Sequence, residues 1–172
     1  MPVWEQKLLE SCATMHNHYD ECVQMITQRG VTMEDIADCV LFLQSKFHPE
    51  ITREQVLPHI ESILNKREVQ HAVLTGISID IATEKKKIES DTLQEILQSD
   101  ASLYGVDEVL AYGICNLYGS IALTNYGHID RVKPGIIAKL NCHNGECHTF
   151  LDDIVGAIAA SAASRIAHQR EE

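Results

Sequence analysis

The chain has 172 residues, 45% of them apolar and 23% charged, and a formal net charge of −11 at pH 7. That length and balance fit a soluble globular chain with a real core. The acidic excess excludes a nucleic-acid partner, which asks for a basic face, and simple electrostatic adhesion to anionic lipid; an anionic substrate needs a cation as intermediary.

The start, Met1-Pro2-Val3-Trp4-Glu5-Gln6-Lys7, has neither the basic nor the apolar region of a signal peptide. Six cysteines, Cys12, Cys22, Cys39, Cys115, Cys142 and Cys147, are scattered without the density of a stapled secreted scaffold. Reduced thiols and a cytoplasmic location are therefore expected. The longest uncharged run, Val109 to Ile129, contains Asn116, Asn125 and His128 and three glycines. A spanning helix needs roughly 20 predominantly apolar residues, so this run reads as a buried helix plus a turn. No transmembrane segment is expected, and at most peripheral membrane contact.

Strand alternation is nearly absent and helical periodicity recurs along the chain. Residues 4–15 and 19–29 read as two short amphipathic helices, the second ending at Gly30. Thr32 caps the next, with Glu34 and Asp35 in its first turn and Ile36, Val40, Leu41 and Leu43 inside. Thr52-Arg53-Glu54-Gln55 is a capping-box pattern opening a helix to about Lys66, with Pro58 as an internal blemish. A long helix comes next, from Arg67 to about Ile88, with Gly76 as its weak point. The run Glu84-Lys85-Lys86-Lys87 reads as a solvated face. Asp91 to Gln98 is a short helix, and Asp107 to about Thr124 a strongly apolar one. Gly127 and the Lys133-Pro134-Gly135 turn interrupt the stretch after it. Ile136 to Leu140 is a short helix, and Asn141 to Cys147 a polar loop turning at Asn144-Gly145.

Thr149 is expected to cap the last helix, which runs to about Gln169, with Asp152 completing the cap. After Asp152-Asp153 this helix is an almost uncharged series of Ala, Gly, Ser and aliphatics. A helix apolar on every side is a buried one. The expectation is an all-α, multi-helix bundle around this central Ala/Gly-rich buried helix. It forms a single domain over residues 1–172, with peripheral helices in 1–100 and motif-bearing core helices in 105–168.

The acids Asp107-Glu108, Asp130 and Asp152-Asp153 each begin or precede an apolar helical segment. Acids at helix N-termini often only cap and complement the macrodipole. Doublets leading at once into buried helices ask for more. Clustered carboxylates repel one another and raise each other's pKa unless a cation is present, and oxygen-only ligands suit magnesium. Lys133 offers a point charge for a phosphate oxygen, with Pro134-Gly135 turning the backbone beside it. His128, two residues before Asp130, is a further candidate for the substrate.

Cys142-His143-Asn144-Gly145-Glu146-Cys147-His148 holds four soft or borderline ligands, but its pairs are adjacent residues rather than the spaced pairs of zinc sites. It reads as a polar loop, with His148 placed to orient Asp152. The chain has no Gly-rich phosphate loop, no Gly-x-Ser-x-Gly and no Cys-x-x-Cys, so a serine or thiol nucleophile has no support.

In order, Val106-Asp107-Glu108-Val109, Ile129-Asp130-Arg131-Val132-Lys133-Pro134 and Leu151-Asp152-Asp153-Ile154-Val155-Gly156 resemble the phosphatidylglycerophosphatase A family, in particular its short, soluble branch from Gram-positive bacteria. The three motifs cover roughly residues 105–165, and together they are fairly specific. The resemblance implies an all-α bundle and a magnesium-dependent phosphatase that removes the terminal phosphate of phosphatidylglycerophosphate. By position it implies that Asp107, Glu108, Asp130, Asp152 and Asp153 form the metal-binding and catalytic set, with Lys133 at the phosphate. Residues 1–100 carry neither the spanning helices nor the Gly-Thr-x-Gly-Ser segment of membrane members. Two alternatives stand beside this: a phosphohydrolase on a small soluble phosphate ester, and a non-catalytic helical protein, alone or as a homo-oligomer, with a structural acid or metal cluster.

Overall fold

The computed structural model describes residues 17–142 and 145–169. The expected helix over 4–15, Cys12, His16, and His143 and Asn144 of the polar loop lie outside the described residues. The elements are α1 (Tyr19–Gln28), α2 (Met33–Gln44), α3 (Arg53–Leu64), α4 (Arg67–Glu84), α5 (Asp91–Gln98), α6 (Val106–Cys115), a 3-10 turn (Asn116–Tyr118), α7 (Gly119–Val132), α8 (Ile136–Leu140) and α9 (Leu151–His168). Among the described residues there is no strand, and no helix is long and apolar enough to cross a membrane. The fold is all-α.

Local chemistry sets most helix starts. Thr32 and Asp35 exchange hydrogen bonds at the head of α2: the Asp35 amide donates to Thr32 Oγ1 at 3.1 Å, and the Thr32 amide to Asp35 Oδ2 at 2.9 Å. The Thr52 amide donates to Gln55 Oε1 at 3.0 Å, opening α3 as its capping box predicts. Pro58 sits inside α3. Ser90 Oγ accepts from the Leu93 amide to open α5.

Helix α9 lies at the centre, and every residue from Leu151 to Ser164 is buried. It is surrounded by α2, α3, α4, α6, α7 and α8. The N-terminal helices α2 to α4 are thus part of the wall around it, rather than an outer layer. Small side chains on α9 allow that many neighbours to reach one backbone. The closest approach uses the other partner's glycine: a Cβ on Gly76 of α4 would run into Ile154 Cδ1 and lie 3.0 Å from Phe150 Cβ. Gly76 is therefore a point of contact between α4 and α9, not a weak point in α4.

Several expectations are corrected. The long helix expected over Asp107 to about Thr124 is broken at Asn116–Tyr118, and a new helix starts at Gly119, whose φ of +80° favours glycine. That second helix then runs through Gly127 to Val132 without interruption. Nor is the run from Val109 buried throughout: Ala111, Ile114 and Cys115 face the core, while Val109 is 64% and Tyr112 46% exposed. A continuous apolar run hides which positions face outward. α4 ends at Glu84, four residues short of Ile88, with Lys86 in the left-handed region at φ +53°. Glu84, Lys85, Lys86 and Lys87 are exposed as expected, and Glu84 in addition pairs with Arg29.

Thr149 does not cap α9. Its hydroxyl donates to the Leu97 carbonyl at 2.8 Å, and Asp80 of α4 accepts the amides of Phe150 at 3.1 Å and Leu151 at 3.0 Å. A carboxylate 70 positions upstream replaces the local cap. The described cysteines Cys22, Cys39, Cys115, Cys142 and Cys147 are all free thiols.

Candidate metal centre

Three pieces of backbone bring the acids together. Asp107 and Glu108 lie in the first turn of α6, behind Gly105, whose φ of +78° swings the chain into the helix. Asp130 stands in the last turn of α7, which closes on Lys133 in the left-handed region at φ +49°. Asp152 and Asp153 occupy the first turn of α9. All five acids and Lys133 line one cleft of about 220 Å³, with Asp100, Ser102, Leu103, Tyr104 and Asn141 completing its wall.

Within the cleft, one carboxylate oxygen from each of Asp107, Glu108 and Asp153 lies within 4.8 Å of the others. Lys133 Nζ pairs with Asp130 Oδ1 at 3.1 Å and with Asp152 Oδ2 at 3.2 Å. The set thus divides into a group of three acids with no cation and a pair of acids bridged by lysine. Asp107, Asp152 and Asp153 are nearly inaccessible, at 7%, 6% and 6% exposure.

Burial of charge dominates the electrostatics. It pushes Asp153 up to about 8, and the charge on Asp152 adds to the shift. Asp152 rises to about 6 through burial, against the pull of Lys133. Burial would lower the Lys133 ammonium, but Asp152 and Asp130 together hold it above its ordinary value. Burial, with its hydrogen bond to Glu108, lifts Asp107 to about 7, and the same bond holds Glu108 low.

The residues fit a hard divalent cation. Glu108 Oε2 is buried with no hydrogen-bond partner, and a shared proton or a cation would satisfy it. The donors are carboxylate oxygens only, the set magnesium prefers. Opposite oxygens stand about 4 Å apart around magnesium and about 5 Å apart around calcium, and the oxygens of the three-acid group all lie within 4.8 Å of one another.

The structure does not bring His128 into the cleft: its ring stacks on Phe42, with centroids 5.8 Å apart. His148 does not orient Asp152 either. It is held by Arg29 at 3.2 Å and Glu146 at 3.1 Å. Cys147 Sγ is taken up by Asp80 and the Leu97 carbonyl, and among the described residues no metal-type cluster includes this loop. Sequence reasoning missed Tyr126. Its hydroxyl is buried without a partner of regular geometry and stands close enough to Asp153 to lower its pKa. The missed signal is the four-residue step from Tyr126 to Asp130, which puts both on one face only if the helix continues through Gly127.

Residues 23–168 match the family described as Phosphatidylglycerophosphatase A. The chain is 57% identical over 143 residues to the uncharacterized protein YutG of Bacillus subtilis strain 168, covering 83% of this chain and 86% of that one. It is 46% identical over 159 residues to the uncharacterized protein YpjQ of the same strain, covering 92% and 89%. The crystal structure of low temperature requirement C protein from Listeria monocytogenes has the same fold, with a TM-score of 0.86 at 54% identity over 90% of this chain and 98% of that one.

Proposed function

The chain belongs to the phosphatidylglycerophosphatase A family, and from that premise we propose that it is a magnesium-dependent phosphatase for the terminal phosphate of phosphatidylglycerophosphate. The observation that carries this reading is the convergence of acids from α6, α7 and α9 on one cleft with Lys133. Asp107, Glu108 and Asp153 would hold the ion, with Asp130 and Asp152 beside them. When bound, the ion supplies positive charge where the phosphoryl oxygens gain negative charge. Lys133 adds a second positive charge there. Asp152, outside the group of three and held near 6, suits a general base at neutral pH. It takes a proton from water as the water oxygen bonds to phosphorus. The ester P–O bond breaks, the departing alkoxide takes up a proton, and inorganic phosphate leaves.

The lip of the cleft favours a lipid ester. Leu103, in its wall, is 99% exposed at a left-handed φ of +67°. An exposed apolar side chain at the entrance suits a substrate lying in a lipid surface. Phosphate release from phosphatidylglycerophosphate in mixed micelles, run beside glycerol 3-phosphate, tests the proposal. Magnesium-dependent release from the lipid, abolished by chelator, is expected. Release from the soluble ester alone would move the substrate to that class. Release from neither, with no rise in Tm on adding magnesium, would leave the acids as a structural cluster.

A further inference from the structure

Helix α9 carries two acids of the site in its first turn, where Asp152 Oδ1 accepts the Asp153 amide at 2.9 Å, but its N-cap residue, Phe150, supplies no side-chain cap. The cap comes from α4. Asp80, fully buried, accepts the Phe150 amide on both carboxylate oxygens, at 3.1 and 3.3 Å, and the Leu151 amide at 3.0 Å. The residues just before are fixed by the same region. Glu84 Oε1 accepts the Cys147 amide at 2.7 Å, and Arg29, paired with Glu84, donates to the Cys147 carbonyl at 2.7 Å. Asp80 and Glu84 are one turn apart on α4, and Gly76 is one turn before Asp80 on the same face. There the absent side chain lets α4 approach Phe150 just before α9, Ile154 of α9 and Leu110 of α6. One face of α4 therefore sits against both helices that carry the three-acid group.

We propose that Asp80 is a positioning residue for the metal centre: by capping α9 from α4, it sets where Asp153 stands relative to Asp107 and Glu108. This rests on the reading of the cleft as a metal site. A cap made from within α9 would fix the start of that helix but not its relation to α6. A cap delivered from α4, which packs on α6 as well, ties the two halves of the site to one frame. Sites of this kind tolerate errors of only about 0.5 Å, so loosening the cap is expected to reach the ion.

The test compares Asp80→Asn, Glu84→Gln and Gln44→Ala. Gln44 donates to the Ala163 carbonyl near the far end of α9 at 3.0 Å, so its loss destabilises the same helix away from the acids. Manganese binding to the chelator-treated full chain is read by electron paramagnetic resonance, and amide exchange is measured at residues 152–155. Asp80→Asn is expected to weaken manganese binding at least tenfold and to speed exchange in that turn. Glu84→Gln should act in the same direction less strongly and serves if Asp80→Asn does not fold. Gln44→Ala should lower Tm yet keep manganese affinity within twofold. Wild-type affinity in Asp80→Asn, or an equal loss in Gln44→Ala, overturns the proposal. If the wild-type chain binds no manganese, the metal reading fails. The exchange data then decide the cap by themselves, and unchanged exchange in Asp80→Asn refutes it.

Discussion

Asp153 combines the features that the chemistry needs: a buried carboxyl, an oxygen grouped with those of Asp107 and Glu108, and a proton held up to about 8 without a cation. Asp153→Asn should therefore lower turnover by about 100-fold or more with the circular dichroism spectrum unchanged. Asp130 stands outside the three-acid group and pairs with Lys133. Asp130→Asn leaves the lysine paired to Asp152 alone, and a smaller loss of about tenfold is expected for a group that only orients a charge. Tyr126 gives a separable prediction. Its hydroxyl lowers Asp153, so in Tyr126→Phe the acid keeps its proton to higher pH. Cation binding needs ionised ligands, and the acid limb of the pH–rate profile should move to higher pH. Stability should change little, because the lost hydroxyl has no regular partner. An unmoved acid limb would remove Tyr126 from the site.

At the scale of the element, two glycines with the same sequence appearance have opposite roles. A Cβ on Gly156 of α9 would meet Ile129 at 3.5 Å and Tyr126 at 3.6 Å, ordinary contact distances. Gly156→Ala should raise stability by up to about 1 kcal/mol from helix propensity. Gly76→Ala gains the same propensity but drives a methyl group into Ile154 and Phe150, and should cost about 1–3 kcal/mol. Ala159→Leu and Ala160→Leu overfill fully buried positions and should cost a similar amount. Urea unfolding of the four variants checks these signs. The same helices show which features a sequence can reveal. The cap of α2, the extent of α5 and α8 and the central place of α9 are legible in local patterns, because each depends on neighbours within one turn or on uniform small side chains. The pairing of Glu84 with Arg29 and the cap from Asp80 are not, because each depends on residues far apart in the chain. The acids and Lys133 could be assembled from motif order, whereas the stacking of His128 on Phe42 belongs to tertiary packing.

For the whole molecule, the buried acids make the metal-free fold sensitive to pH. Burial holds Asp80 and Asp107 up to about 7, Asp152 to about 6 and Asp153 to about 8, while an unfolded aspartate titrates near about 3.9. Between these limits the folded chain binds more protons than the unfolded one, so stability falls as pH rises from about 4 to about 8 and levels off above that. The Tm of chelator-treated protein should drop over this range, on the order of 10 °C. Magnesium held at the ionised, folded cluster would stabilise it by preferential binding, so the stabilisation it gives should grow as pH rises. A metal-free Tm that is flat or rising over this range would mean that the acids are not buried together as described.

The most direct measurement is phosphate release from phosphatidylglycerophosphate micelles by the wild-type chain and Asp153→Asn in parallel, each with magnesium and with chelator, and with melting curves on the same preparations. The predicted result is release by the wild-type chain only, lost on chelation, with both proteins folded. Release that survives chelation, or an Asp153→Asn chain that turns over at the wild-type rate, would contradict a metal-dependent phosphatase centred on this cleft.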